Sequence, residues 1–95
     1  MIVVRVTLNG ITVDGHAGYA ERGKDIVCAG VSVLTRNLIN SVEALTEDKI
    51  SYKVAPAQIH IEYENLSERS KFLVDSFFIG VSEIQRDYPG YVQII

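Results

Sequence analysis

Ile2, Val4, Val6 and Leu8 alternate with Val3, Arg5, Thr7 and Asn9, a period of two that predicts a half-buried strand. Asn9-Gly10 follows, the strongest short hairpin signal. Ile11-Thr12-Val13-Asp14 is then the returning strand. A two-residue turn at Asn9-Gly10 pairs Leu8 with Ile11 and Val6 with Val13, placing all four on one face. Between Gly15 and Gly23 the apolar residues lose their period and glycines recur, so this stretch predicts a mobile loop. From Asp25 the period becomes helical. Asp25 is a good N-cap, and Val27, Val31, Leu34, Leu38, Val42 and Leu45 form one stripe, which ends a helix near Thr46. Ile50, Tyr52 and Val54 predict a third strand, Ala55-Pro56-Ala57 a turn, and Ile59, Ile61 and Tyr63 a fourth strand. Asn65-Leu66-Ser67-Glu68 has capping-box spacing. The helix after it carries Leu73, Phe77, Val81, Ile84 and Tyr88, with Phe72, Val74, Phe78 and Ile79 widening the stripe. Pro89-Gly90 stops it, and Tyr91 to Ile95 is a short last strand.

The order is β-β-α-β-β-α-β. The packing it predicts is an α+β two-layer sandwich: two helices on one face of a mostly antiparallel five-stranded sheet. The wide apolar surface of the second helix predicts a homodimer. The chain has 95 residues, the size of one domain, and 47% are hydrophobic, enough to form a core. Its net charge of -3 argues against a non-specific nucleic-acid binder, which needs a clustered basic footprint. No apolar run has the length of a membrane span, and the first residues, broken by Arg5, do not form a signal peptide. The expectation is therefore a cytoplasmic protein with no membrane partner. One cysteine, Cys28, excludes an internal disulfide and a cysteine-cluster metal site. His60 stands with Glu62 and Glu64 on a polar strand face, a poor donor set for a metal. No cofactor motif is present, since the glycines lack the spacing of a phosphate-binding loop.

The chemistry concentrates between Gly15 and Ser32. If Asp25 is the N-cap, Cys28 lies in the first helical turn. A thiolate there gains about 0.3–1 kcal/mol from the helix dipole, too little alone to hold a thiol ionised at neutral pH. An imidazole can take the thiol proton and then supply the missing cation. His16 is the candidate, twelve residues before Cys28 across a glycine-bearing loop. First-turn N–H groups could form part of an oxyanion hole. Ser32, one turn beyond Cys28, could bond the thiolate, the imidazole or the substrate. Asp25 could cap the helix or orient His16. The same residues also have plainer readings: a cysteine on an amphipathic helix is often a small buried hydrophobe, and a lone histidine is often a surface residue.

Gly15-His16-Ala17, the short glycine-bearing loop, and Asp25-Ile26-Val27-Cys28-Ala29-Gly30-Val31-Ser32 together resemble the ribosomal-processing cysteine protease family, Prp. The resemblance extends to the order of strands and helices over essentially the whole chain, as a single cysteine-protease domain at 1–95. It implies a bacterial cytoplasmic endopeptidase, typically homodimeric. Such an enzyme removes a short N-terminal extension from a large-subunit ribosomal protein, cutting after a Phe-containing apolar stretch. It places the nucleophile on Cys28 and the base on His16. Asp25, Ser32 and Gly15 become supporting residues, and the loop with Ala17, Gly18, Tyr19 and Gly23 closes over substrate. The alternatives are a processing protease for a phage structural protein, a non-catalytic ribosome-associated module with Cys28 buried, and a thiol hydrolase acting on a non-peptide substrate.

Overall fold

A computed structural model describes residues 1–95. Its strands are β1 (Ile2–Thr7), β2 (Gly10–Asp14), β3 (Ser51–Ala55), β4 (Gln58–Glu62) and β5 (Val92–Ile94), and its helices are α1 (Ile26–Leu45) and α2 (Glu68–Asp87). The sheet runs β3-β4-β2-β1-β5. All neighbours are antiparallel except β1 and β5, so the sheet is mixed rather than uniform.

The first hairpin turns one residue earlier than its sequence predicts. Val6 pairs with Ile11 and Thr7 with Gly10, so Leu8 and Asn9 form the turn and Leu8 is 90% exposed. Gly10 is needed inside β2. A Cβ there would stand 2.6 Å from the Ile61 carbonyl oxygen of β4, closer than any real contact. The Tyr63 hydroxyl then fixes the base of the turn by donating to the Thr7 carbonyl at 3.1 Å. Because each partner moves by two residues, facing is unchanged, and Ile2, Val4, Ile11 and Val13 are all buried.

α1 keeps its predicted limits, with Asp25 as N-cap and Thr46 as C-cap. It buries Val27, Val31, Leu38, Ile39 and Val42, and also Thr35, whose hydroxyl donates to the Val31 carbonyl at 2.7 Å. α2 starts from Ser67, whose hydroxyl accepts from the Ser70 N–H. Asn65, the expected cap, is instead in the left-handed region at φ 51°. The helices meet closely at two glycines: a Cβ on Gly80 would lie 3.0 Å from Leu34, and one on Gly30 would lie 3.2 Å from Ile84. Asp48 joins the end of α1 to the start of α2 by accepting from the Ser67 N–H, the Ser67 hydroxyl and the Ser70 hydroxyl. Those bonds, Ser67's side chain first, hold its carboxyl below the usual carboxylate range. Phe77 and Val81 bring α2 into the common core. Each such buried side chain contributes about 1.5–3 kcal/mol. Phe72, Phe78 and Ile79 remain exposed, as their excess over one stripe implied. No helix is long and apolar enough to cross a membrane.

Candidate active site

The site forms where β2 ends and α1 begins. Gly15 leaves β2 at φ +100°, a conformation closed to ordinary side chains, and a Cβ there would also run into the Met1 carbonyl oxygen. Its N–H donates to the Ala57 carbonyl in the β3–β4 turn at 2.8 Å. The chain thus leaves the sheet at a fixed angle, and the next residue is His16. Ala17 follows and is 4% exposed, a small apolar plug set into the core. Its N–H donates to the Cys28 Sγ at 3.2 Å. The thiol is half-buried, and the loop backbone is its hydrogen-bond donor.

Asp25 ties the loop to the helix. Its Oδ1 accepts from the N–H groups of Val27 at 3.0 Å and Cys28 at 2.9 Å. Its Oδ2 accepts from those of Tyr19 at 2.9 Å and Ala20 at 3.2 Å. These bonds, led by the one from Cys28, hold the carboxyl below its ordinary range. Asp25 therefore caps the helix and staples the loop at once, and it makes no hydrogen bond with His16. Of the first-turn amides expected to be available to an oxyanion, those of Val27 and Cys28 are taken by the cap. The Ile26 N–H has no such partner.

His16, Cys28 and Ser32 converge, and two clefts open on either side of them. The larger, of about 600 Å³, is lined by Gly18, Arg22, Gly23 and Lys24 of the loop together with Asp25 and Ile26. The smaller is a slot of about 220 Å³ lined mostly by apolar side chains, among them Val31 of α1 and Val54, Ala57 and Ile59 of the β3–β4 hairpin. All three converging residues line both. Gly18 and Gly23 line the larger cleft. Ala17 and Tyr19, also expected in the substrate loop, do not line it. Tyr19 instead packs edge-on against Tyr88 and Tyr91, with ring centroids 5.4 and 5.2 Å away. A stretch read as mobile is thus held at its middle by an aromatic cluster and by Asp25. Three features had no signal in the sequence: the Ala17 N–H aimed at sulfur, the loop amides on Asp25, and the hairpin wall of the slot. Each depends on contacts between distant segments.

His60 is not part of this site. It lies on the helix-free face of the sheet, 2.9 Å from Asp14. No group of three or more histidine, cysteine, aspartate or glutamate side chains is placed to hold a metal ion.

A cysteine-bearing helix start, a histidine on a fixed turn and two clefts meeting at them are what a peptide-cleaving thiol needs. Known proteins share the frame. Ribosomal processing cysteine protease Prp of Staphylococcus aureus is 28% identical, over 99% of this chain and 97% of that protein. The Bacillus subtilis protein of that name is also 28% identical, over 84% and 78%. The crystal structure of an essential ribosomal processing protease Prp from S. aureus, in complex with a covalently linked product peptide, superposes with a TM-score of 0.94 at 23% identity, covering 99% of this chain and 97% of that one. The family model described as cysteine protease Prp matches residues 1–93, and the chain belongs to that family of cysteine proteases.

Proposed function

We propose that this protein removes a short N-terminal extension from a bacterial large-subunit ribosomal protein, cutting after a Phe-containing apolar stretch, with Cys28 and His16 as the catalytic pair. The observation that carries the reading is the convergence of Cys28, His16 and Ser32 where two clefts meet. The S. aureus relative has been crystallised with a substrate peptide, in keeping with a peptide-binding groove on this fold.

In this mechanism His16 takes the Cys28 proton, and the sulfur attacks the scissile carbonyl carbon. His16 then protonates the leaving amine, and water hydrolyses the thioester. With Val27 and Cys28 amides committed to Asp25, the free Ile26 N–H is the first-turn donor left for the oxyanion. The Ala17 N–H supports the charge on sulfur. Asp25 acts through the backbone, fixing the loop and the helix start against each other, and Ser32 is placed to bond substrate. The exposed Phe72, Phe78 and Ile79 of α2 support a homodimer formed away from the cleft. The setting is the cytoplasm, where ribosomal precursors are made.

The test is incubation with a peptide copying that extension, read by mass spectrometry beside Cys28→Ala. One cut after the Phe-containing stretch, absent in the variant, is expected. An uncut peptide in a folded sample overturns the ribosomal substrate and leaves a phage protein or a non-peptide substrate to be tried.

A further inference from the structure

The helical layer leaves one strip of the sheet bare. Tyr52 pairs across the ladder with Ile61 and Val54 with Ile59, so both point to the helix side. Ile59 and Ile61 are buried there, but Tyr52 is 47% and Val54 53% exposed, because α1 stops short of the edge strand. β3 is that edge. Its outer N–H and C=O groups have no partner in the sheet, and an edge carrying apolar side chains invites another strand. Pro56 and Lys53 limit indiscriminate pairing there, as edge strands require.

The bare strip runs into the candidate active site without a break. Val54 and Ala55 form one wall of the apolar slot, Val31, Ser32 and Arg36 form the other, and Cys28 and His16 also line it. Cys28, Ser32 and Arg36 follow one another at four-residue spacing, so the α1 wall is about 12 Å long. An extended peptide covers that distance in about four residues. The slot, at about 220 Å³, accepts single side chains but not a helix. Arg36 has no ion-pair or hydrogen-bond partner. It stands at the far end of the α1 wall, where it can meet a peptide carbonyl or carboxylate.

We propose that β3 is the substrate-recognition strand: the residues preceding the cleaved bond add to its outer edge in extended form, and their alternate, bulky apolar side chains enter the strip and slot between Val54 and Val31. Main-chain bonds then hold the peptide, and the apolar strip selects its sequence. The proposal rests on the peptidase reading above and adds to it the place and chemistry of recognition. It also assigns the larger cleft, beside Arg22 and Lys24, to the residues after the cut.

Val54→Glu tests it, since a half-exposed edge residue tolerates a charge. The probes are the extension peptide, the same peptide with lysine in place of its phenylalanine, and iodoacetamide as a small reporter of Cys28. Val54→Glu should lower kcat/KM on the extension peptide by about tenfold or more, chiefly through KM. It should leave the melting temperature at the wild-type value and Cys28 still open to alkylation, and recover part of the loss on the lysine peptide. Independently of that variant, the extension peptide added to ¹⁵N-labelled Cys28→Ala protein should shift the amides of Ser51–Ala55 most. Equal cleavage by Val54→Glu, or shifts centred on α2, overturns the proposal while the peptidase reading stands. If the wild type leaves the peptide whole but β3 amides still shift, the reading fails and the recognition strand survives. If neither occurs, both are lost.

Discussion

Gly15→Ala is the change that most directly tests how the site is built. Two costs add. Forcing an L-residue to φ +100° costs about 1–3 kcal/mol. The new methyl also meets the Met1 carbonyl, so the start of β1 must move. That start is not free, because Ile2 is 3% exposed and its N–H donates to the Tyr91 carbonyl at 3.0 Å. Forcing a methyl group into such a place adds about 1–3 kcal/mol. The total, about 2–6 kcal/mol, is a large part of the roughly 5–15 kcal/mol that holds a domain together. Gly23→Ala is the control. Its φ is +87° with no atom within 4 Å of a built Cβ, so it carries only the dihedral cost. Each kcal/mol is worth roughly 4–8 °C in a domain of this size. Gly15→Ala should therefore melt well below Gly23→Ala in differential scanning calorimetry. At a temperature where both remain folded, Gly15→Ala should also lose about 100-fold in kcat/KM, because His16 is the next residue and a shift near 1 Å is that costly. Equal melting temperatures with wild-type cleavage in Gly15→Ala would refute the claim that this turn aims the histidine.

Two further predictions concern the carboxylates and α2. Asp25 and Asp48 both have lowered folded-state values, from N–H and hydroxyl donors, so they stabilise the fold above the unfolded value of about 3.9. That stability is lost as pH falls through the lower folded values, and acid unfolding followed by tyrosine near-UV circular dichroism should be shallower in Asp25→Asn/Asp48→Asn; identical profiles would show that neither staple titrates with folding. Phe72→Glu/Ile79→Glu, at two exposed apolar sites of α2, should convert a dimer to a monomer in light scattering without lowering cleavage of dilute enzyme; an unchanged mass would place the dimer elsewhere.

What could be read from the sequence was local. Asp25 was legible as a cap because its partners, Val27 and Cys28, lie two and three residues away. Its second pair of partners was not, because Tyr19 reaches Asp25 only when its ring packs on Tyr88 and Tyr91, near the other end of the chain. The first hairpin shows the same boundary. Periodicity assigned the buried face correctly, since a two-residue change in pairing keeps parity. The turn itself was decided by Ile61 of β4, which leaves no room for a Cβ at position 10. β3 was legible as a strand from its alternation, but its exposure depends on how far α1 reaches across the sheet, which no pattern in residues 51–55 encodes.

The two jobs of Asp25 give the loop a structural part in building this site. A helix start usually offers its first amides to an anion, and a nucleophilic thiol placed there could draw on them directly. Here the cap takes the Val27 and Cys28 amides, and the same carboxylate fixes the loop through Tyr19 and Ala20. The donor lost from the helix is replaced from the loop, whose Ala17 N–H points at the sulfur. In the proposed mechanism, support for the charge on Cys28 is thereby made conditional on loop position. A loop displaced from Asp25 takes the Ala17 amide and its neighbour His16 away from Cys28 together. The half-buried Cys28 then keeps its loop donor only when Gly15, Ala17 and Tyr19 are all seated, which in the proposed mechanism is a physical route to selective cleavage.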